Sequence, residues 1–235
     1  MKNLFFSFSI VSIGLLTLVS CKKVGCTDSL ANNYNSKANE DNGSCVYSDI
    51  SGNEYASKSI GSQTWMTENL KVQKYRDGDD IPYVPNSNWS TINYGAYCYF
   101  MNDPSKGILY NWHAVNDPRG LAPEGWHIPS DDEWTVLGNY LGGNENAGSK
   151  MKSTNGWNNN GNGNNESGFN GSACGIREFQ EALFCYFGVN GYWWSSTSST
   201  SNSSIYRQLN YYQTALLGGS RDKYTGMSVR CVRDK

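Results

Sequence analysis

From about Ser48 to the C-terminus the chain has only short apolar runs, such as Tyr192-Trp193-Trp194, each cut off by Gly, Asn or Ser. Such a pattern fits short strands joined by turns around one core. Strand-like stretches fall at 173–177, 183–187, 192–197, 205–212 and 227–233, and a hairpin is expected from 54–59 and 62–66 with Gly61 near its turn. One helix stands out. Ser130 precedes Asp131-Asp132-Glu133, so its hydroxyl can cap, Glu133 can close a capping box, and acidic groups sit at the positive end of the helix dipole. Trp134, Leu137 and Leu141 share one face, Gly142-Gly143 ends the helix, and 147–151 reads as a shorter helical piece. The stretch 152–165, mostly Asn and Gly, buries too little apolar area for a packed element and reads as a long surface loop. A helix followed by a strand-rich second half predicts one α+β domain over 48–235.

At the other end, Lys2 precedes an apolar stretch from Leu4 to Leu18 that finishes in Leu18-Val19-Ser20-Cys21. Too short and too early for a lasting membrane span, it reads as an export signal over 1–20. Its last four residues resemble a bacterial lipobox, which implies cleavage before Cys21 and a lipid on that thiol. The expected mature protein is soluble but tethered to the cell envelope, at the outer membrane, with the membrane as its partner through the N-terminal lipid. Lys22 and Lys23 are read as solvated flank.

Setting Cys21 aside leaves six of the seven cysteines, an even number that an oxidising compartment would pair. Cys26 and Cys45 bound a segment too small to bury a core of its own. Closing a loop of that size is worth about 3 kcal/mol, so 21–47 is expected to be a lipid-anchored spacer knitted by a Cys26–Cys45 disulfide. Asp28, Asp41 and nearby Asn side chains are weighed as calcium ligands, but the carboxylate spacing of an EF-hand is missing, and no cofactor or metal is predicted. A formal net charge of -2 and the lack of any basic cluster argue against nucleic acid as a partner.

An ordered series of motifs runs through the rest of the chain. It comprises Ile60-Gly61-Ser62-Gln63-Thr64-Trp65-Met66-Thr67-Glu68-Asn69-Leu70, then Tyr110-Asn111-Trp112 and Pro123-Glu124-Gly125-Trp126-His127-Ile128-Pro129-Ser130-Asp131-Asp132-Glu133-Trp134. Asn165-Glu166-Ser167-Gly168-Phe169, Gly191-Tyr192-Trp193-Trp194-Ser195-Ser196-Thr197 and Ser228-Val229-Arg230-Cys231-Val232-Arg233-Asp234 complete it. Together they resemble the Fibrobacter succinogenes major paralogous domain, a family of bacterial surface and secreted proteins, over nearly all of 48–235. The helix and the C-terminal ending are similar to those of the C-type-lectin-like fold and its sulfatase-modifying-factor branch. That likeness implies an α+β architecture with one or two helices, a twisted antiparallel sheet and long irregular loops, and implies no activity. Two departures matter. Ala122 stands where the family pattern implies a cysteine, and Cys174-Gly175-Ile176-Arg177 replaces a pattern closer to Gly-Gly-Tyr-Arg, with an extra Cys185. The resemblance then implies Cys174 paired with Cys185 across a hairpin and Cys98 left for Cys231.

Catalytic chemistry is not expected. The chain has two histidines, His113 and His127, and both are read as structural; Asp131, Asp132 and Glu133 are accounted for by capping, and Glu166, Glu178 and Glu181 have no diagnostic setting. The Glu-Pro-Asn, Gln-Pro-Asp and Trp-Asn-Asp signatures of calcium-dependent lectins are absent. What remains is an aromatic content of 14%, with Tyr192, Trp193, Trp194, Tyr211 and Tyr212 as candidate ligand-binding residues. Successive residues of a strand face opposite sides, so one of Trp193 and Trp194 is expected to face outward, free to stack on a sugar or anchor a protein. The leading expectation is a non-catalytic binding or adhesion module for a glycan or surface protein. A structural envelope protein and an enzyme on glycans or peptides are the alternatives, and an exposed aromatic patch beside the Asn-Gly loop would favour binding.

Overall fold

Residues 22–234 are described by the computed structural model; the export segment and Cys21 lie outside the described residues. In the cysteine-bounded segment β1 (Val24–Gly25) pairs in parallel with β2 (Glu40–Asp41), and the predicted Cys26–Cys45 disulfide forms across a Cα separation of 5.0 Å. Immediately after Cys45, β3 (Val46–Ser48) pairs with β4 (Glu54–Ile60), so the segment runs directly into the edge of a sheet. Asp28 fastens it further: its carboxylate accepts from the Tyr47 hydroxyl at 2.8 Å and pairs with Arg233 at 2.6 Å. The segment is therefore docked on the domain.

The predicted hairpin forms from β4 and β5 (Gln63–Met66), turning at Gly61, whose φ of +63° suits glycine. β6 (Tyr97–Tyr99) pairs with β7 (Ile108–Tyr110), and the single turn α1 (Trp112–Val115) starts at Asn111, whose side chain accepts from Ala114 N. After β8 (Trp126–His127) comes α2 (Asp131–Tyr140) with its capping box complete: Ser130 Oγ accepts from Glu133 N, and Glu133 Oε2 accepts from Ser130 N at 2.9 Å. Gly142 and Gly143, at φ +101° and +90°, end it as expected. α3 (Asn144–Met151) begins three residues earlier than the sequence suggests, because Gly143 caps it with its carbonyl alone and leaves no capping side chain to read.

The second half builds a sheet from β9 (Cys174–Arg177), β10 (Phe184–Phe187), β11 (Asn190–Ser198), β12 (Ser203–Asn210) and β13 (Leu217–Asp222), in the order β10-β9-β11-β12-β13. The first sheet runs β3-β4-β5-β14-β8, with β14 (Val232–Arg233) contributed by the C-terminus. The architecture is α+β, mostly sheet with three helices among the described residues.

One strand expectation needs correction, and one strand, β13, was not expected. Within 227–233 only the last two residues before Asp234 form a strand; Met227 and Ser228 make single bridges to Tyr110 and Trp193, because this run crosses from the second sheet to the first. β13 has no apolar alternation to reveal it. Its Gly218 and Gly219 lie against the Arg207 and Tyr206 side chains of β12, which need the space a Cβ would take. The Asn-rich loop is anchored too: Trp157 is buried and its Nε1 donates to Ser153 Oγ and Gly171 O, both at 3.1 Å. Among the described residues no helix is long and apolar enough to cross a membrane.

Candidate functional site

β11 carries the aromatic cluster that the sequence nominates, and its alternation is as expected: Tyr192 and Trp194 face one side, Trp193 the other. Both sides are covered. Trp193 lies among Trp65, Trp134 and Phe169, whereas Trp194 and Tyr192 lie with Tyr110 and Trp112, and all three β11 rings are buried. The expected outward tryptophan is therefore corrected: helix α2 packs against one face of β11 and the Tyr110–Trp112 turn against the other, leaving no solvent side. Tyr211 is half-buried against the Trp193 cluster, and Tyr212, 65% exposed, is the one of the five candidates that faces outward.

Four of the predicted disulfide cysteines are free thiols, which corrects the Cys174–Cys185 and Cys98–Cys231 pairings. On the β9/β10 pair Cys174 stands opposite Phe187 and Cys185 opposite Ile176, two residues out of register. Diagonal neighbours of that kind are about 7–8 Å apart, beyond the reach of an unstrained disulfide. Cys98 and Cys231 are buried in different apolar clusters, and burial pushes their thiols up to about 11 and about 12. Ala122 packs in the same cluster as Cys231, so an alanine methyl occupies the region where the family pattern implies a second cysteine.

His127 has both ring nitrogens engaged, Nδ1 with Asp234 at 2.6 Å and Nε2 with Glu133 at 2.8 Å. Burial works against its charged form, yet the hydrogen bonds to Asp234 and Glu133 outweigh it and raise the imidazole above its usual range. The triad ties the C-terminus to the start of α2. His113 packs 5.2 Å from Tyr224, and burial with Lys223 close by lowers its pKa. Among the described residues no group of three or more His, Cys, Asp and Glu side chains is placed to hold a metal ion.

The chemistry gathers elsewhere, in an open groove of ≈ 410 Å³ where the chain after β5, the approach to β7, the Asn-rich loop and the ends of β9 and β10 meet. Asn69 is its hub. Its Oδ1 accepts from Trp193 Nε1 at 2.8 Å and from Arg230 Nη2 at 2.6 Å, while its Nδ2 reaches Ser172 Oγ at 3.5 Å and Cys174 Sγ at 3.6 Å. The Asn-rich loop adds Ser153 and Asn155, and Asn170 follows it. Phe187, 45% exposed, supplies an aromatic face; its ring packs 5.0 Å from Phe100, and Lys106 Nζ stands 5.4 Å from its centroid. Asn158 N donates to Gly188 O at 2.7 Å, which sets this ring beside the loop. None of the five nominated aromatics lines the groove. Asn69 and Arg230 do lie in the motifs that carry the family likeness, but only the fold brings them together with Phe187.

A family model described as the Fibrobacter succinogenes major domain matches residues 59–233. No curated protein and no solved structure matches the chain.

Proposed function

The chain belongs to the Fibrobacter succinogenes major domain family, and on that premise we propose that it is a non-catalytic binding module of the cell envelope that holds a glycan in the groove beside its Asn-rich loop. One observation carries the reading: a half-exposed aromatic ring, Phe187, shares the groove with the amides and hydroxyls of Asn69, Asn155, Asn170, Ser153 and Ser172. A sugar ring has an apolar face that stacks on an aromatic and a rim of hydroxyls that amides read both as donors and as acceptors. The groove's size falls in the range of small-ligand sites. Lipid anchoring through Cys21, at the outer membrane, belongs to the same proposal and is supported by Leu18-Val19-Ser20-Cys21. The C-type-lectin-like architecture is supported by the capped α2 followed by a mostly antiparallel sheet, in which only β9 and β11 pair in parallel. No cofactor and no nucleic acid form part of the reading.

A glycan array probed with the mature chain tests it. A subset of glycans should be retained, and Phe187→Ala should weaken them by more than about 1 kcal/mol while the melting temperature changes little. An array without any retained glycan, or retention indifferent to Phe187→Ala, overturns the reading. For the anchor, Cys21→Ser should abolish lipid labelling and move the protein to the soluble fraction; unchanged labelling removes that part of the proposal.

A further inference from the structure

Building on the glycan reading, we infer that the groove is specific for an acidic saccharide, whose carboxylate or sulfate pairs with Lys106 and is drawn in by the buried charge of Arg230. The charged residues that line it are Lys71, Lys106 and Arg230 against a single acid, Glu68. Glu68 is already committed, paired with Lys71 at 2.7 Å. Lys106 is held only loosely, 3.8 Å from Asp103, and stands over the ring on which the sugar would stack. Arg230 is fully buried, and among the described residues no carboxylate lies within salt-bridge distance of it.

Arg230 donates instead to neutral oxygens, Asn69 Oδ1, Met66 O and Phe169 O. Dipoles satisfy its N–H groups but leave its charge uncompensated, which is costly in a buried setting. Burial pulls its pKa down to about 9, so it is still cationic at neutral pH. Arg177 is also buried against carbonyls, of Val84, Pro85 and Asn86, yet it does not line the groove; Arg207, by contrast, is neutralised by Asp131 at 2.6 Å. The distinguishing feature of Arg230 is an unneutralised charge at a ligand-sized groove. A neutral sugar leaves the cationic excess as it is, whereas an anionic group on the sugar supplies the missing counter-charge, and partial exclusion from water strengthens that attraction. The chain as a whole carries a net charge of -2, so general attraction to polyanions does not account for such a preference.

The probes are oligogalacturonate and its fully methyl-esterified counterpart, sulfated dextran oligomers and plain dextran oligomers, and oligoglutamate as a peptide anion. Binding to the mature chain is read by calorimetry and by the alkylation rate of Cys174, which lines the groove, with Cys185, which lies outside it, as the internal reference. Either acidic oligosaccharide should bind about tenfold or more tightly than its neutral partner, and the arm that responds identifies carboxylate or sulfate as the group read. Binding should slow alkylation of Cys174 and leave Cys185 unchanged. Lys106→Gln should reduce the preference with the fold intact, and raising salt from about 0.1 M to about 1 M should shrink it. Equal binding of acidic and neutral partners overturns the inference while sparing the glycan reading, and a preference left undiminished by Lys106→Gln overturns it as well. Oligoglutamate binding as tightly as the acidic sugars overturns the saccharide specificity, and no binding by any oligosaccharide overturns both.

Discussion

The indole of Trp193 donates to Asn69 Oδ1 at 2.8 Å, so a wall of the groove hangs directly on the core of the domain. The same oxygen receives the Arg230 guanidinium, and the amide's other end reaches toward Cys174. Groove wall and core are thus one hydrogen-bonded structure, and damage to either should be felt by the other.

Both tryptophans of β11 should accordingly behave as core. Trp193→Ala and Trp194→Ala each remove a fully buried ring and should each cost about 3 to 5 kcal/mol in chemical denaturation. A variant that loses less than about 1 kcal/mol would place its ring at the surface.

Thiol reactivity should divide in two. Cys174 and Cys185 are partly exposed and should react with iodoacetamide in the native protein, whereas Cys98 and Cys231 should react only after unfolding. Peptide mapping with and without denaturant checks this, and a Cys174–Cys185 or Cys98–Cys231 disulfide recovered from oxidised protein would contradict the arrangement described above.

The His127 triad makes stability depend on pH. Its folded pKa is raised, so its contribution is complete below the unfolded value of about 6.5 and fades as pH rises through the folded pKa. Glu133 works in the opposite sense. Burial raises its pKa, but hydrogen bonds from Ser130 and His127 outweigh burial and lower it, so its contribution is present above the ordinary carboxylate value of about 4.3 and is lost as pH falls. The stability difference between the wild-type chain and His127→Gln, measured by urea denaturation, should be largest between these two values. A difference that grows steadily toward alkaline pH would contradict the charged pairing.

Much of the local structure was legible in the residues themselves. The capping box of Ser130 and Glu133, the β4–β5 hairpin at Gly61 and the Cys26–Cys45 staple each depend on contacts within a few to about twenty positions, and short-range spacing encodes them. Opposite faces for Trp193 and Trp194 also followed from the strand period, but exposure did not, because it depends on whether distant segments cover each face: α2 covers one and the Tyr110–Trp112 turn the other. Cysteine pairing failed for a related reason. A two-residue offset between β9 and β10 keeps Cys174 and Cys185 apart, and register is set by the whole sheet. The groove is the extreme case. Asn69, Arg230 and the β9/β10 pair that carries Cys174 and Phe187 come from three separate stretches of chain, and no local period links them; the crossing of the C-terminal run between the two sheets places Arg230 beside the others.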